Sequence, residues 1–386
     1  MGSYIRIFSN PNKDFLEHGL KEIEINKELY KRLLKDKIPI YALIPTSSKA
    51  LVEFFNAYQK IEIVYKNKKK LLISGTYKEL TEIANSVAIT FPEISKALKN
   101  SLNNIEKKDF RLKLKDRIWR IGGKTLIMGV INVTPDSFSD GGKFYEKEKA
   151  ISHGFKLLEE GADIIDIGGE SARPGSHPIS YEEEIRRVIP VIEALADKTD
   201  IPISIDTYKP KVALAAIKAG ATIINDISGL TFEPSLADVA AKYNTPLILM
   251  HTKGRPDVMQ KDLHYDSLIG DIIDYLSNSI DRATAKGVDP QQIIIDPGIG
   301  FGKSVEQNLE LIKYLSEFKV LGKPILIGTS RKSFIGKILD LDVDQREEGT
   351  LATISASILN GANIVRVHNV KIAQRAVKMI DAIKGV

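Results

Sequence analysis

Residues 125–169, TLIMGVINVTPDSFSDGGKFYEKEKAISHGFKLLEEGADIIDIGG, decide the fold. They read as an apolar run of strand length, a polar loop, a helical stretch and a second apolar run. The same unit recurs to the C-terminus. Its further runs are PISI (202–205), TIIN (222–225), PLILM (246–250), QIII (292–295), PILIG (324–328) and NIVRV (363–367). Strands that alternate with helices predict a parallel sheet. Eight units in about 260 residues fit one closed (β/α)8 TIM barrel. The runs end in polar residues: Asn132, Asp166, Asp206, Asn225 with Asp226, His251, Asp296, Ser330 with Lys332, and Arg366 with His368. In such a barrel the C-terminal strand ends share one mouth, so these side chains are expected to converge there.

Outward from the barrel, residues 1–115 have a different texture, rich in Lys, Glu and Asn and poor in glycine. Stretch 13–36 and the segments SSKALVEFFNAYQ, YKELTEIANSVA and ISKALKNSLNNIEKK have helical spacing, whereas IPIYALIP, KIEIVYK and KKLLISG read as strands. The expected organisation is a small α/β N-terminal domain over 1–115 and the barrel over 116–386. Residues 104–120 are expected to supply the linker and a hairpin at the barrel bottom. The lysine run at 66–70 lacks the interleaved aromatics of a nucleic-acid surface and reads as a solvated tip.

Composition narrows the chemistry. The chain has 386 residues, 43% of them hydrophobic, and a net charge of +5. With no cysteine, disulfides, thiolate metal sites and a cysteine nucleophile are excluded. No apolar stretch is long enough for a membrane span, and no signal peptide is visible. The expected setting is cytoplasmic, with small-molecule partners, no nucleic acid and no membrane.

The loops after the strands carry the candidate site. Residues 132–144, NVTPDSFSDGGKF, are dense in turn formers and end in two glycines, the pattern of a binding loop or lid. GGESARPGS (168–176) holds Arg173 before Pro174, a stiff presentation that suits an oxyanion. Asp206, Asn225, Asp226 and Asp296 offer acceptors for the N–H edge of a flat, amino-substituted heterocycle. GIGFGK (298–303) lacks the spacing of a P-loop, but Phe301 offers an apolar wall. GTSRKS adds Arg331 and Lys332, and Arg366 with His368 alternate along the last strand. With Arg173 they can form an anion pocket near the loops that often bind phosphate in such barrels.

NVTPDSFSDGG, GGESARPGS, SIDT, INDISG, LMHTKGRP, DPGIGFGK, GTSRKS and RVHNV, in this order, resemble the motifs of the dihydropteroate synthase family. The resemblance covers about two-thirds of the chain and leaves the N-terminal region outside. It implies condensation of 7,8-dihydropterin-6-ylmethyl pyrophosphate with 4-aminobenzoate, giving 7,8-dihydropteroate and pyrophosphate for folate synthesis, in a homodimeric sulfonamide target. It implies that Asp206, Asn225, Asp296 and Lys332 hold the pterin, with Arg366 across its face. Arg173 and His368 would take the pyrophosphate with Mg²⁺, and Asn132 would ligate that metal. Phe138, Pro174, Phe301, Lys332 and Ser330 would line the 4-aminobenzoate site, and Asp140 would face the developing methylene cation. Ala172 stands where the family commonly has Thr or Ser, which removes a hydroxyl beside the amine. Three other readings stand beside it: a pterin-dependent methyltransferase barrel, which shares the pterin acids, a catalytically silent pterin-binding or regulatory protein, and a methanopterin-branch synthase acting on a ribosylated aminobenzene phosphate.

Overall fold

The computed structural model describes residues 5–9, 40–45, 49–57, 62–66, 70–115, 117–134 and 143–385. The helix expected over 13–36 lies outside them. The chain divides into two compact units, one of Met1–Lys107, Tyr265–Ser277 and Glu317–Gly322, the other of Lys108–His264, Asn278–Ser316 and Lys323–Val386.

The first unit holds strands β1 (Arg6–Ser9), β2 (Ile40–Pro45), β3 (Glu62–Lys66) and β4 (Lys70–Gly75). They form an antiparallel sheet in the order β1-β2-β4-β3. Its helices are α1 (Lys49–Ala57), α2 (Tyr77–Ser86) and α3 (Pro92–Glu106). Strand β1 was not among the expected elements. The core gathers Ile5, Ile7, Ile44, Phe55, Ile73 and Leu98. A capping box between Thr76 and Glu79 starts α2.

The second unit opens with the antiparallel hairpin β5 (Phe110–Leu114) and β6 (Arg117–Ile121). Alternate residues of β5 are buried. Phe110, Leu112, Leu114 and Ile121 join Leu126, Met128, Ile164, Ile223, Ile248, Ile294, Leu326 and Ile364 in one cluster. These last eight stand at the starts of the barrel strands, so the hairpin plugs the barrel floor, as the sequence led us to expect.

The barrel strands are β7 (Leu126–Asn132), β8 (Ile164–Gly168), β9 (Ile203–Asp206), β10 (Ile223–Asp226), β11 (Leu247–Met250), β12 (Ile293–Asp296), β13 (Leu326–Ile327) and β14 (Ile364–Val367). All pair in parallel in the order β12-β11-β10-β9-β8-β7-β14-β13. A parallel bridge between Ile295 and Ile325 closes the ring. Between them run α4 (Lys143–Glu159), α5 (Tyr181–Ala196), α6 (Pro210–Ala219), α7 (Leu236–Tyr243), α8 (Leu268–Ala285), α9 (Val305–Lys313), α10 (Ser333–Leu339) and α11 (Glu347–Leu359), and α12 (Val370–Lys384) follows β14. Ser180, a plausible cap before YEEEI in the sequence, does cap α5, its side chain accepting from the Glu183 amide, and three glutamates fill the first turn. Two details differ from expectation. The sequence after GIGFGK predicts a helix over 305–318, whereas the helix stops at Lys313 and the chain continues as the 3-10 segment Leu315–Leu321. Helix α10, too short to show a period, was not foreseen.

Candidate active site

The C-terminal strand ends meet as the barrel geometry requires. Arg366 leaves β14 level with Met128 of β7. Its guanidinium reaches past that strand to β8, where Nε donates to Asp166 Oδ2 at 2.7 Å. Its Nη2 bridges the same oxygen, at 2.6 Å, and Asp206 Oδ2 of β9, at 2.7 Å. Asn225 Nδ2 of β10 donates to Asp166 Oδ2 at 3.2 Å, which leaves the Asn225 carbonyl oxygen for other donors. Asp166 is fully buried, and its second oxygen has no hydrogen-bond partner among the described residues. In the sequence Asp166 is one more polar residue at a strand end, without an assigned role. The signal was there, since a carboxylate inside an apolar strand needs a partner.

Burial sets the protonation of this group. It pushes the Asp206 carboxyl up to about 7, against the pull of Arg366. It raises Asp296 as well, against the pull of Lys332. It lowers the Lys332 ammonium to about 8, against Asp296. Lys332 Nζ donates to the Ile299 carbonyl and lies 4.8 Å from the centre of the Phe301 ring. Lys332 and Phe301, from the loops after β13 and β12, thus meet side by side. Phe301 packs on Tyr208, Ile227 and Met250, with Ala172 and Phe232 beside them.

His368 marks a second, cationic zone. Its Nδ1 lies 3.0 Å from Ser330 Oγ, which also accepts from the His368 amide at 3.3 Å. Burial, with Arg366, Arg331, Arg173 and Lys332 around it, holds the imidazole down at about 3. Arg366 and Arg331 are already paired with carboxylates, so an anion beside this imidazole would be met chiefly by Arg173 and Lys332. Arg331 has left-handed backbone, φ +57°, and is tied to Glu347 at 2.7 Å. The Ser330 hydroxyl, expected against the amine substrate, is taken up by His368.

Other expected residues fall differently. Asp226 faces away from the lumen, accepting from the amides of Ser228 and Leu230 and from the Ser228 hydroxyl. It shapes the β10–α7 turn and does not join Asn225 in the site. Lys303 is buried and donates to the carbonyls of Gly298 and Phe301, while its ammonium meets His251 Nδ1 at 2.9 Å. It is a strut for the glycine-rich loop. Asp296 Oδ1 accepts from the Gly298 amide at 2.7 Å. Gly298, at φ +73°, permits this fold-back, since a Cβ there would stand 1.9 Å from the His251 carbonyl oxygen. Arg173 and Pro174 are exposed on their loop, and Asn132 is half-buried at the end of β7. Phe138 and Asp140 lie outside the described residues.

Comparison with known proteins shows the family. Residues 128–368 match the family described as pterin binding enzyme. The dihydropteroate synthase of Synechocystis is 51% identical over 263 residues, 68% of this chain and 91% of that protein. That of Bacillus subtilis is 51% identical, over 67% of this chain and 88% of the relative. Among solved structures, Clostridium difficile dihydropteroate synthase in the presence of pteroic acid matches with a TM-score of 0.65 and 48% identity, over 68% of this chain and 98% of that one. The Xanthomonas albilineans enzyme with 4-aminobenzoic acid matches with a TM-score of 0.68 and 42% identity, over 72% of this chain and 99% of that one.

Proposed function

Because the chain belongs to the pterin binding enzyme family, we infer that this site performs the dihydropteroate synthase reaction. It condenses 7,8-dihydropterin-6-ylmethyl pyrophosphate with 4-aminobenzoate and yields 7,8-dihydropteroate and pyrophosphate. The observation that carries the reading is the pairing of two zones at one mouth: buried acceptors around Arg366, and the cationic surroundings of His368, to which Arg173 and Lys332 contribute. The first suits the N–H edge of a pterin and the second a diphosphate.

The chemistry follows from charge. As the C–O bond to the diphosphate breaks, positive charge gathers on the pterin methylene and negative charge on the leaving group. The amine nitrogen then forms the new C–N bond and gives up a proton. No covalent enzyme intermediate is needed. Asp206, Asp296 and the Asn225 carbonyl would accept from the pterin ring, and Arg366 would lie against its face. Arg173 and His368 would bind the departing diphosphate, a preorganised electrostatic contribution. Lys332, Phe301, Pro174 and Ser330, with Phe138, would border the amine site, and Asp140 would face the developing cation. The polar loops over 132–144 and 168–176 would exclude water from it.

Mg²⁺ fits as a companion of the diphosphate. Among the described residues no three His, Cys, Asp or Glu side chains group to hold a metal. Mg²⁺ commonly keeps several waters and takes few protein oxygens beside substrate phosphates, and the Asn132 amide oxygen would supply one. When bound, the ion would neutralise charge on the leaving group.

A homodimer is supported by apolar side chains exposed on neighbouring elements: Ile338 and Leu339 of α10, Leu359 of α11, and Met379 and Ile383 of α12. A cytoplasmic location is compatible with the absence of cysteine and of any described helix long and apolar enough to cross a membrane. The sulfonamide complex of the Yersinia pestis relative, 40% identical, makes this chain a candidate target as well. The direct test supplies the pterin pyrophosphate, 4-aminobenzoate and Mg²⁺ and measures pyrophosphate. Release that needs both organic substrates supports the reading, and none from folded protein refutes it.

A further inference from the structure

The loop that carries Arg173 is anchored by an ionic cluster that the reaction above does not use. At its root, Glu170 Oε2 accepts from Lys209 Nζ at 2.5 Å and from the Ile179 amide at 2.9 Å. Glu170 Oε1 accepts from the Tyr208 hydroxyl at 3.0 Å. Lys209 Nζ also reaches Glu184 Oε2 of α5 at 2.6 Å. At its tip, the Gly175 amide donates to the Pro256 carbonyl at 2.9 Å. Arg173 therefore hangs between two anchors. Lys209 follows Asp206 by three residues, so one cluster ties the Arg173 loop to the strand that carries a pterin acceptor.

The charge count of this cluster separates folding from function. Two carboxylates share one ammonium, which leaves one negative charge in excess. Glu184 is 1% exposed, and its Oε1 has no hydrogen-bond partner among the described residues. Burial raises the Glu184 carboxyl, Lys209 opposes this, and Glu170 adds to it. One carboxylate would satisfy Lys209. A second one adds repulsion in a poorly solvated place, where ion pairs already contribute little to stability. What Glu170 does add is geometric. It ties the loop root to the Ile179 amide and to the Tyr208–Lys209 pair after β9, where the Gly169 peptide is pressed on α5 and its carbonyl accepts from Arg187 at 2.9 Å.

We propose that Glu170 is a positioning residue for the reaction, holding the loop root on Lys209 and Tyr208 so that Arg173 is presented to the leaving diphosphate before substrate binds. The proposal rests on the reaction inferred above, and its test includes a readout that does not.

In the full chain, Glu170→Gln keeps the size and one acceptor, removes the excess charge and leaves Lys209 paired with Glu184. The expected melting temperature is equal to or above that of the parent. Amide exchange over 169–179 is expected to rise at least tenfold, and kcat to fall at least tenfold, while affinity for a pterin lacking the diphosphate stays within twofold. Tyr208→Phe deletes a single donor to Glu170 and keeps the ring on Phe232. It is expected to move exchange and kcat the same way by about threefold. Exchange and kcat within twofold of the parent in both variants would overturn the proposal. So would unfolding of both, or a fall in melting temperature with uniformly faster exchange across the barrel, because a folding role would then account for the cluster. If the parent released no pyrophosphate, the inferred reaction would fail, and the exchange data alone would still decide whether Glu170 pins the loop.

Discussion

Arg366 Nε lies 2.7 Å from Asp166 Oδ2, and 200 residues of chain separate them. Strand β7 stands between their two strands, so only a side chain as long as arginine makes the reach. The pair fixes the guanidinium before any ligand arrives and leaves one face of the cluster to Asp206 and Asn225.

Asp166→Asn should weaken that fixture without emptying the space. A hydrogen bond to a charged group contributes about 1.5–3 kcal/mol, so kcat/KM should fall roughly 10- to 100-fold. Asp166 also helps hold the Asp206 carboxyl up. Its neutralisation should move the acid limb of the pH profile to lower pH, and steady-state pyrophosphate release from pH 5 to 9 measures both effects.

Arg366→Lys keeps the charge but cannot span Asp166 and Asp206 with a planar fork. We expect at least about a 100-fold loss of kcat/KM, roughly 2.7 kcal/mol. Lys332→Ala and Arg366→Ala should abolish turnover. Circular dichroism establishes whether each variant is folded, and a folded Arg366→Lys enzyme of parental activity would remove the guanidinium from the mechanism.

Two buried groups set the pH dependence, Asp206 and Lys332. Asp206 titrates near 7, so its acceptor form appears as pH rises through 7. Lys332 loses its proton near 8. The profile of kcat/KM should therefore be bell-shaped with its maximum between about 7 and 8. For stability, the folded state holds the Asp206 proton where the unfolded chain has lost it, so this group lowers stability as pH climbs from about 4 to 7. Lys332 acts oppositely: the unfolded chain keeps its proton longer, so stability recovers from about 8 toward 10. Urea midpoints across pH for the parent and for Asp206→Asn would reveal the first slope or its absence.

His368 offers a spectroscopic check of the anion zone. Its imidazole is held at about 3 by burial and by Arg366, Arg331, Arg173 and Lys332. A bound pyrophosphate opposes those cations, so the imidazole pKa should rise by at least about one unit. NMR titration of this histidine with and without pyrophosphate tests it, and identical curves would place the anion elsewhere.

The hairpin sets where the N-terminal region can be cut. A chain beginning at Lys108 keeps β5, and the family match over residues 128–368 lies wholly within it. Its turnover should lie within about threefold of the full chain. A cut after Lys115 removes buried Phe110, Leu112 and Leu114. At about 2 kcal/mol for each side chain lost from the floor, that chain should melt far lower or fail to fold. Equal melting temperatures for the two truncations would argue against the plug.

Much of the site was legible in the one-dimensional chain because parallel strands bury both faces. Each strand therefore reads as an unbroken apolar run, and the polar residue after it stands out. Asn132, Asp206, Asn225, Asp296, Lys332, Arg366 and His368 could all be picked in this way, and their convergence follows from the barrel. Adjacent polar residues were harder. Asn225 and Asp226 are equal candidates in sequence, yet one points to the lumen and the other to the turn, because successive strand side chains face opposite ways and the pairing register chooses between them.

By itself, then, the sequence determined the repeating strand–helix unit, the barrel it builds and the polar strand ends that crowd its mouth, since these depend on local periodicity and chain connectivity. Only the tertiary structure decided that Asp166 anchors Arg366, that Ser330 serves His368, that Lys303 braces a loop and that Glu170 pins the Arg173 loop. Those contacts, Lys303 with His251 among them, join residues distant in the chain, and a side chain carries no mark of its partner until the fold brings the two within a few ångströms.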